Sequence, residues 1–237
     1  MNKAARILLG LAMSGISPIA SAPAQQIDTM RLAEANPKID TTKKVDTLRA
    51  GRDSATKSEK AKETAAPVSL KTLGTVDGGV RLEADLSARQ LRVVGANGTI
   101  KTFAVAIGSP SYPTPTGSYK IRKIVWNPSW VPPDSKWAKG KTAKGPGEPG
   151  NPMKVAKIFF KEPDFYIHGT GDTKSLGSAA SHGCLRMDPD DVAELAQFLM
   201  QNGGQAREEG WFSRVIHMRW KTHTVYLSQP IALQVTR

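Results

Sequence analysis

The chain has a single cysteine and four histidines. Cys184 stands two residues after His182 and sixteen after His168, within Ile167-His168-Gly169-Thr170 and Ser181-His182-Gly183-Cys184-Leu185-Arg186. A thiol becomes a strong nucleophile as a thiolate, and a nearby imidazole can take its proton or hold the resulting ion pair. His168 closes a predicted strand and can reach across to Cys184, so it is assigned as the base. His182 shares a tight turn with the thiol and is assigned to orientation or substrate contact. Gly183 lets this turn bend so that the amides of His182, Gly183 and Cys184 converge on one point, an oxyanion site worth roughly 3 kcal/mol per donor. Arg186 can grip a carboxylate with two parallel hydrogen bonds. The bland alternatives are a buried, inert cysteine and a zinc site built from His168, His182 and Cys184. The zinc reading lacks an evident fourth ligand, and its spacing fits no common zinc pattern. No metal or other cofactor is expected.

The elements that must carry these residues follow from periodicity. Strands are predicted over Val80–Leu86, Gln90–Gly95 and Thr99–Ile107, with a tight reversal at Ala96-Asn97-Gly98. Further strands run over Ser118–Val125, Val155–Phe160, Phe165–His168, His223–Leu227 and Ile231–Val235. One helix is well marked by Asp188 as N-cap, Pro189 in the first turn, Asp190 and Asp191 at its positive end and Gly203 at its close. About eight short strands and one helix give a mainly β fold, a sandwich or barrel. Between Trp126 and Met153 lies a stretch rich in Pro, Gly, Lys and Trp. Either it is a functional loop over the site, or a surface loop whose tryptophans seal the core.

The N-terminus speaks to location. Lys3 and Arg6 precede an apolar run from Ile7 to Ile19 and small residues ending at Ala24. That is the layout of a secretory signal peptide over 1–24. The run is shorter than the roughly 20 residues that cross a bilayer, which disfavours an uncleaved anchor. Residues 25–76 are charged and hold no aromatic residue, so they read as a flexible tether or loosely helical spacer. The catalytic domain is placed at 77–237. An exported location, in the periplasm or cell envelope, is expected, with no stable membrane span after cleavage. The formal charge of +12 comes without an aromatic-interleaved nucleic-acid motif, so nucleic acid is disfavoured and a polyanionic envelope surface is the favoured partner.

At these residues the chain resembles the L,D-transpeptidases with a YkuD-type catalytic domain, whose signature is a histidine, a spacer and then Ser/Thr-His-Gly-Cys. The resemblance runs from about Val80 to Val235. It takes in "LEADLSARQLRVV", "PTPTGSYKI", "WNPSW" from Trp126 to Trp130, "GNP" from Gly150, "IHGT" and "SHGCLRM". It implies a β-sandwich or barrel-like domain with a flap over the site, and thioester chemistry on peptidoglycan stem peptides. Cys184 would attack after the third, diamino-acid residue of a tetrapeptide and release the terminal D-alanine. An amine on a neighbouring stem would then form the cross-link. His168 would be the base, its ring oriented by the Gly169 carbonyl, and Ser181, Trp130 and Arg186 would contact substrate. Carbapenems would acylate Cys184. Water or an envelope-protein lysine as acceptor would instead give a carboxypeptidase or a protein-attachment enzyme, and a non-catalytic wall-binding module is the competing class. Arg186 matches the family position directly, whereas Met153-Lys154 in place of Leu-Gly after Asn151-Pro152, and the lack of the common Asn in "RMDPDD", depart from the family pattern.

Overall fold

The computed structural model describes residues 69–237. The predicted signal peptide and most of the charged segment lie outside the described residues. Among the described residues there are ten strands and two α-helices. Eight strands form one mixed sheet in the order β3-β2-β1-β10-β5-β6-β7-β9: β1 (Arg81–Asp85), β2 (Gln90–Gly95), β3 (Gly98–Ala104), β5 (Gly117–Trp126), β6 (Lys154–Lys161), β7 (Phe165–Gly169), β9 (Leu185–Met187) and β10 (His223–Thr236). The chain just beyond β3 returns to the far edge, where Ala106 and Arg186 exchange backbone hydrogen bonds of 3.0 and 2.9 Å. The sheet is thus nearly closed on itself, and the barrel-like mainly β expectation holds. A two-strand parallel ladder of β4 (Ile107–Gly108) and β8 (Ala179–Ser181) sits beside this seam.

Alternation builds the barrel. Leu82 and Ala84, Leu91 and Val93, Ile121, and Ile231, Leu233 and Val235 turn inward and are buried, while their neighbours carry Arg, Lys, Gln and Thr outward. In register, Leu82 meets Leu233 and Ala84 meets Val235. The C-terminal strand, expected as two strands about Pro230, is one strand whose register against β5 shifts between Tyr226 and Ile231. Proline has no N–H for the ladder, so it is accommodated at this irregularity.

Helix α1 (Pro189–Asn202) begins as expected, with the Asp188 carboxylate accepting the Asp190 N–H at 2.9 Å. It is buried on nearly every side from Val192 to Met200, rather than along one face. One cause is the chain before β1, which the composition assigns to the tether through residue 76. Leu70, in a short 3-10 turn at Leu70–Thr72, is fully buried in the core. The Glu194 carboxylate accepts the Leu70 N–H and bonds Lys101 Nζ at 2.6 Å, and Asn202 bonds Val76 N–H and the Gly74 carbonyl. A second helix, α2 (Glu209–His217), was not expected; it inserts Phe212 and Val215 and bonds α1 through Glu209 and Gln197.

Candidate active site

Three strands carry the site, and register dictates which side chains meet. Lys157 on β6 is opposite His168 on β7, and His168 is opposite Arg186 on β9. Side chains alternate along a strand, so Tyr166 and Cys184, each two residues before His168 and Arg186, share that face. The next row, Ile158, Ile167 and Leu185, points the other way and is fully buried in the core that α1 completes. Lys157, Tyr166, His168, Cys184 and Arg186 all line one cavity of about 890 Å³. Sequence reasoning missed Lys157 and Tyr166. Tyr166 was discoverable by counting back two along the strand from His168, whereas Lys157 arrives only through the pairing of β6 with β7.

His168 is buried, and its Nδ1 lies 2.9 Å from the Gly169 carbonyl oxygen, to which it donates. Burial holds its pKa down at about 4, with the Gly169 bond pulling the other way. Nδ1 carries the proton, so Nε2 is left as the acceptor. Gly169 cannot be another residue, because a Cβ there would stand 2.4 Å from the Lys154 carbonyl oxygen. The Cys184 sulfur is partly open to the cavity and donates to the Asp164 carbonyl at 3.3 Å. Burial pushes its thiol up to about 11, against the smaller pull of the Tyr166 amide and of Lys157. The free site therefore holds a neutral thiol and a neutral imidazole. The ion pair open to sequence reasoning is not the resting state, because both groups lose hydration together.

The turn before the cysteine is tied by Ser181. Its hydroxyl donates to the Cys184 carbonyl at 2.6 Å and accepts the Gly183 N–H at 3.1 Å. Ser181 is buried and spends its hydroxyl inside the turn rather than presenting it to a ligand. The same bond occupies the Gly183 amide that was grouped with the oxyanion donors. Among the described residues no acceptor is assigned to the His182 or Cys184 amide. Gly183 has φ +107, and a Cβ there would strike the Phe165 ring at 2.7 Å.

His182 is exposed and turned toward the loop. Its ring stacks on Trp137 at 3.9 Å between centroids and 16°, with Tyr112 on another side at 4.9 Å. Burial lowers its pKa, and Arg186 and Lys141 add to that. His168, His182 and Cys184 are therefore not gathered as a ligand set; among the described residues no group of three such side chains is placed to hold a metal ion. Arg186 lines the floor with Asp172 at 4.0 Å. Trp130 is buried in the cavity wall and exchanges backbone hydrogen bonds of 2.8 Å with Lys144. The loop between β5 and β6 is anchored at both ends by buried asparagines. Asn127 donates to the carbonyls of Val215, Met218 and Lys221, and Asn151 to those of Pro128 and Gly145. Trp126, which seals the core, is the last residue of β5, while Trp130 and Trp137 of the loop itself line the cavity.

Among the described residues no helix is long and apolar enough to cross a membrane. Similarity to known proteins follows the same stretch of chain. A protein of Fuscovulum blasticum named as an L,D-transpeptidase is 33% identical over 119 residues, covering 49% of this chain and 62% of that one. The YkuD protein of Bacillus subtilis, named likewise, is 30% identical over 118 residues, covering 50% and 58%. The chain thus spans about three fifths of the length of these relatives. Among solved structures, an L,D-transpeptidase from Mycobacterium smegmatis superposes with a TM-score of 0.43 at 16% identity, covering 67% of this chain and 59% of that one. The family described as the YkuD-type L,D-transpeptidase catalytic domain matches residues 79–215, from the approach to β1 through most of α2. More than half of the chain, including both halves of the cysteine and histidine constellation, falls within that match, and the chain belongs to this family.

Proposed function

We propose that the protein is an exported L,D-transpeptidase that cross-links peptidoglycan through a thioester on Cys184. The observation that carries this is the shared cavity: a partly open sulfur and an imidazole with a free Nε2 line one space on a family-matched scaffold. In the first half-reaction Sγ attacks the carbonyl carbon of the third stem residue and the thiol proton passes to His168 Nε2. The amides of His182 and Cys184 take the oxyanion. The intermediate then collapses, the bond to the terminal D-alanine breaks, and His168 returns the proton to the departing amine. In the second half-reaction the side-chain amine of another stem attacks the thioester, yields its proton to His168 and releases the sulfur as a thiol. One amide is exchanged for another, so no cofactor is consumed. Arg186 and the wall around Trp130 are the proposed contacts to the stem and its carboxylates, while Ser181 holds the turn.

The test is incubation of the purified protein with tetrapeptide-bearing wall fragments, read by mass. The expected product is a dimer joined between third residues, with free D-alanine. Tripeptide alone would assign a carboxypeptidase, and a tripeptide joined to a protein lysine would assign protein attachment. Cys184→Ala should lose turnover by at least about a thousandfold while still binding fragments. Unchanged turnover would leave only a binding module. Localisation is tested by fractionating cells for the processed chain.

A further inference from the structure

The face that carries His168 and Cys184 presents two side chains to which the thioester mechanism gives no task. Lys157 is half-buried on β6, and its ammonium is held by two contacts. It donates to the Ser129 carbonyl at 3.1 Å and lies 4.7 Å from the centroid of the Tyr166 ring. Tyr166 in turn sets its ring edge-on to His168 at 5.6 Å. A carbonyl from the loop and an aromatic face from β7 therefore hold one flexible cation at a fixed place on the cavity floor. An ammonium has three hydrogens, so fixing it by one carbonyl and one ring leaves it able to serve an anion.

The groups that face the sulfur come from three strands: Lys157 from β6, Tyr166 and His168 from β7, and Arg186 from β9. Lys123 on β5 stands behind Lys157, paired with Glu162. Asp164 offers the sulfur its carbonyl. Tyr166 keeps its proton, because burial and the neighbouring thiol both raise its pKa, so it is no base. Arg186 already has Asp172 as a partner. Of the cations that line the cavity, Lys157 and Lys141 have no carboxylate partner among the described residues, and Lys141 belongs to the loop and lies over the Trp137 ring, so Lys157 is the unpaired one on the strands beneath the sulfur. The thiol and Lys157 also influence each other's protonation, each favouring the other's charged form.

We propose that Lys157 is the cation that stabilises the Cys184 sulfur as it turns anionic, with the Ser129 carbonyl and the Tyr166 ring fixing its position. The assignment rests on Cys184 being the nucleophile. When the thiol proton passes to His168, the electron pair stays on sulfur until the bond to carbonyl carbon forms. Lys157 offsets that charge and exchanges no proton. It acts on the reaction through the sulfur and is a positioning residue for charge.

The single cysteine allows a direct measurement. Iodoacetamide alkylation of the full-length protein, followed by mass between pH 7 and 10.5, reads the ease of forming the thiolate without needing substrate. For Lys157→Met the profile should move up by about one pH unit, seen as about tenfold slower alkylation at pH 9. Lys157→Arg should stay within about twofold of the parent. On wall fragments, Lys157→Met should lower kcat by at least about tenfold with little change in KM. A Lys157→Met profile that overlies the parent's overturns the proposal, including the case in which KM alone rises and the lysine serves a substrate carboxylate. Should the Met variant not fold, Lys157→Gln removes the charge while keeping a polar side chain on β6 and leaving Tyr166, which acts on the sulfur directly, in place. It should shift alkylation in the same direction, and an unshifted profile overturns the proposal equally. Failure of the thioester reading is separable: the parent would not turn over wall fragments, yet the alkylation shift would persist.

Discussion

Two faces of the same three strands do opposite work. On one, Ile158, Ile167 and Leu185 meet in register, fully buried. One residue along, Lys157, His168 and Arg186 meet in register around the cavity. The apolar row is held by volume and area alone, and similar hydrophobes can substitute within it. The polar row is held by directed contacts, so the charge and hydrogen-bonding capacity of each side chain matter there more than its volume. The difference shows how a small domain can keep desolvated titratable groups in place. The cost of burying them is offset by the packing behind them, so the cavity inherits its rigidity from the apolar row.

This comparison can be broken at either row. The largest expected effect is His168→Gln, which keeps a polar side chain but removes the proton acceptor. It should lower kcat/KM on wall fragments by about a thousandfold, with thermal unfolding near pH 7 little changed. The neighbouring Ile167→Ala should do the reverse. It should remove about 3 kcal/mol of stability in urea titrations and leave kcat of the surviving folded protein within a few-fold. Equal damage to turnover from both would mean that the rows are not separable.

A finer test uses pH. His168 takes a proton at about 4 in the folded protein, against 6.5 as its ordinary value. Between these values the unfolded chain binds more protons than the native one, so stability is full above pH 6.5 and falls as pH drops toward 4. The difference, 6.5 − 4 = 2.5 pH units, amounts to about 3 kcal/mol by pH 4. His168→Gln should flatten that part of the stability profile. The acid limb of kcat/KM in the parent should likewise fall near pH 4 rather than 6.5. A limb at 6.5 would place His168 in a wetter site than the one between β6 and β9.

Much of this architecture was written locally in the chain. Asp188-Pro189-Asp190-Asp191 marks the start of α1, and alternation marks the strands, including Phe165–His168, which delivers His168 to the cavity. Local signals end where pairing begins. Lys157 joins the site only because β6 runs antiparallel to β7 in one register, and no pattern within Val155–Phe160 records that choice. Helix α2 carries a weak signal because it is nine residues long, has Glu208 as an N-cap that makes no side-chain bond and carries Gly210 near its start. Its apolar residues Trp211, Phe212, Val215 and Ile216 do follow helical spacing. The ion pair failed for another reason. Residue types reveal that a thiol and an imidazole can exchange a proton, whereas the direction depends on how much water each retains.

The smallest expected effect concerns the second histidine, the counterpart of the first in residue type and its opposite in environment. His168 is enclosed and bonded to backbone, whereas His182 is exposed and held by ring contacts from Trp137 and Tyr112. Lys141 also lies over the Trp137 ring, 4.9 Å from its centroid. The loop is tied at its ends by Asn127 and Asn151, and the Trp137 stack tethers its middle to the turn that carries Cys184. Trp137→Ala removes that tether without touching the sulfur, the base or the asparagine anchors. A stacked pair contributes about 1 kcal/mol, so KM for wall fragments should rise roughly fivefold while kcat stays within about twofold. A split of that kind assigns the loop to holding the stem. A fall in kcat at constant KM would instead mean that the stack sets the geometry of the His182-Gly183-Cys184 turn, and the exposed histidine would then belong with the polar row after all.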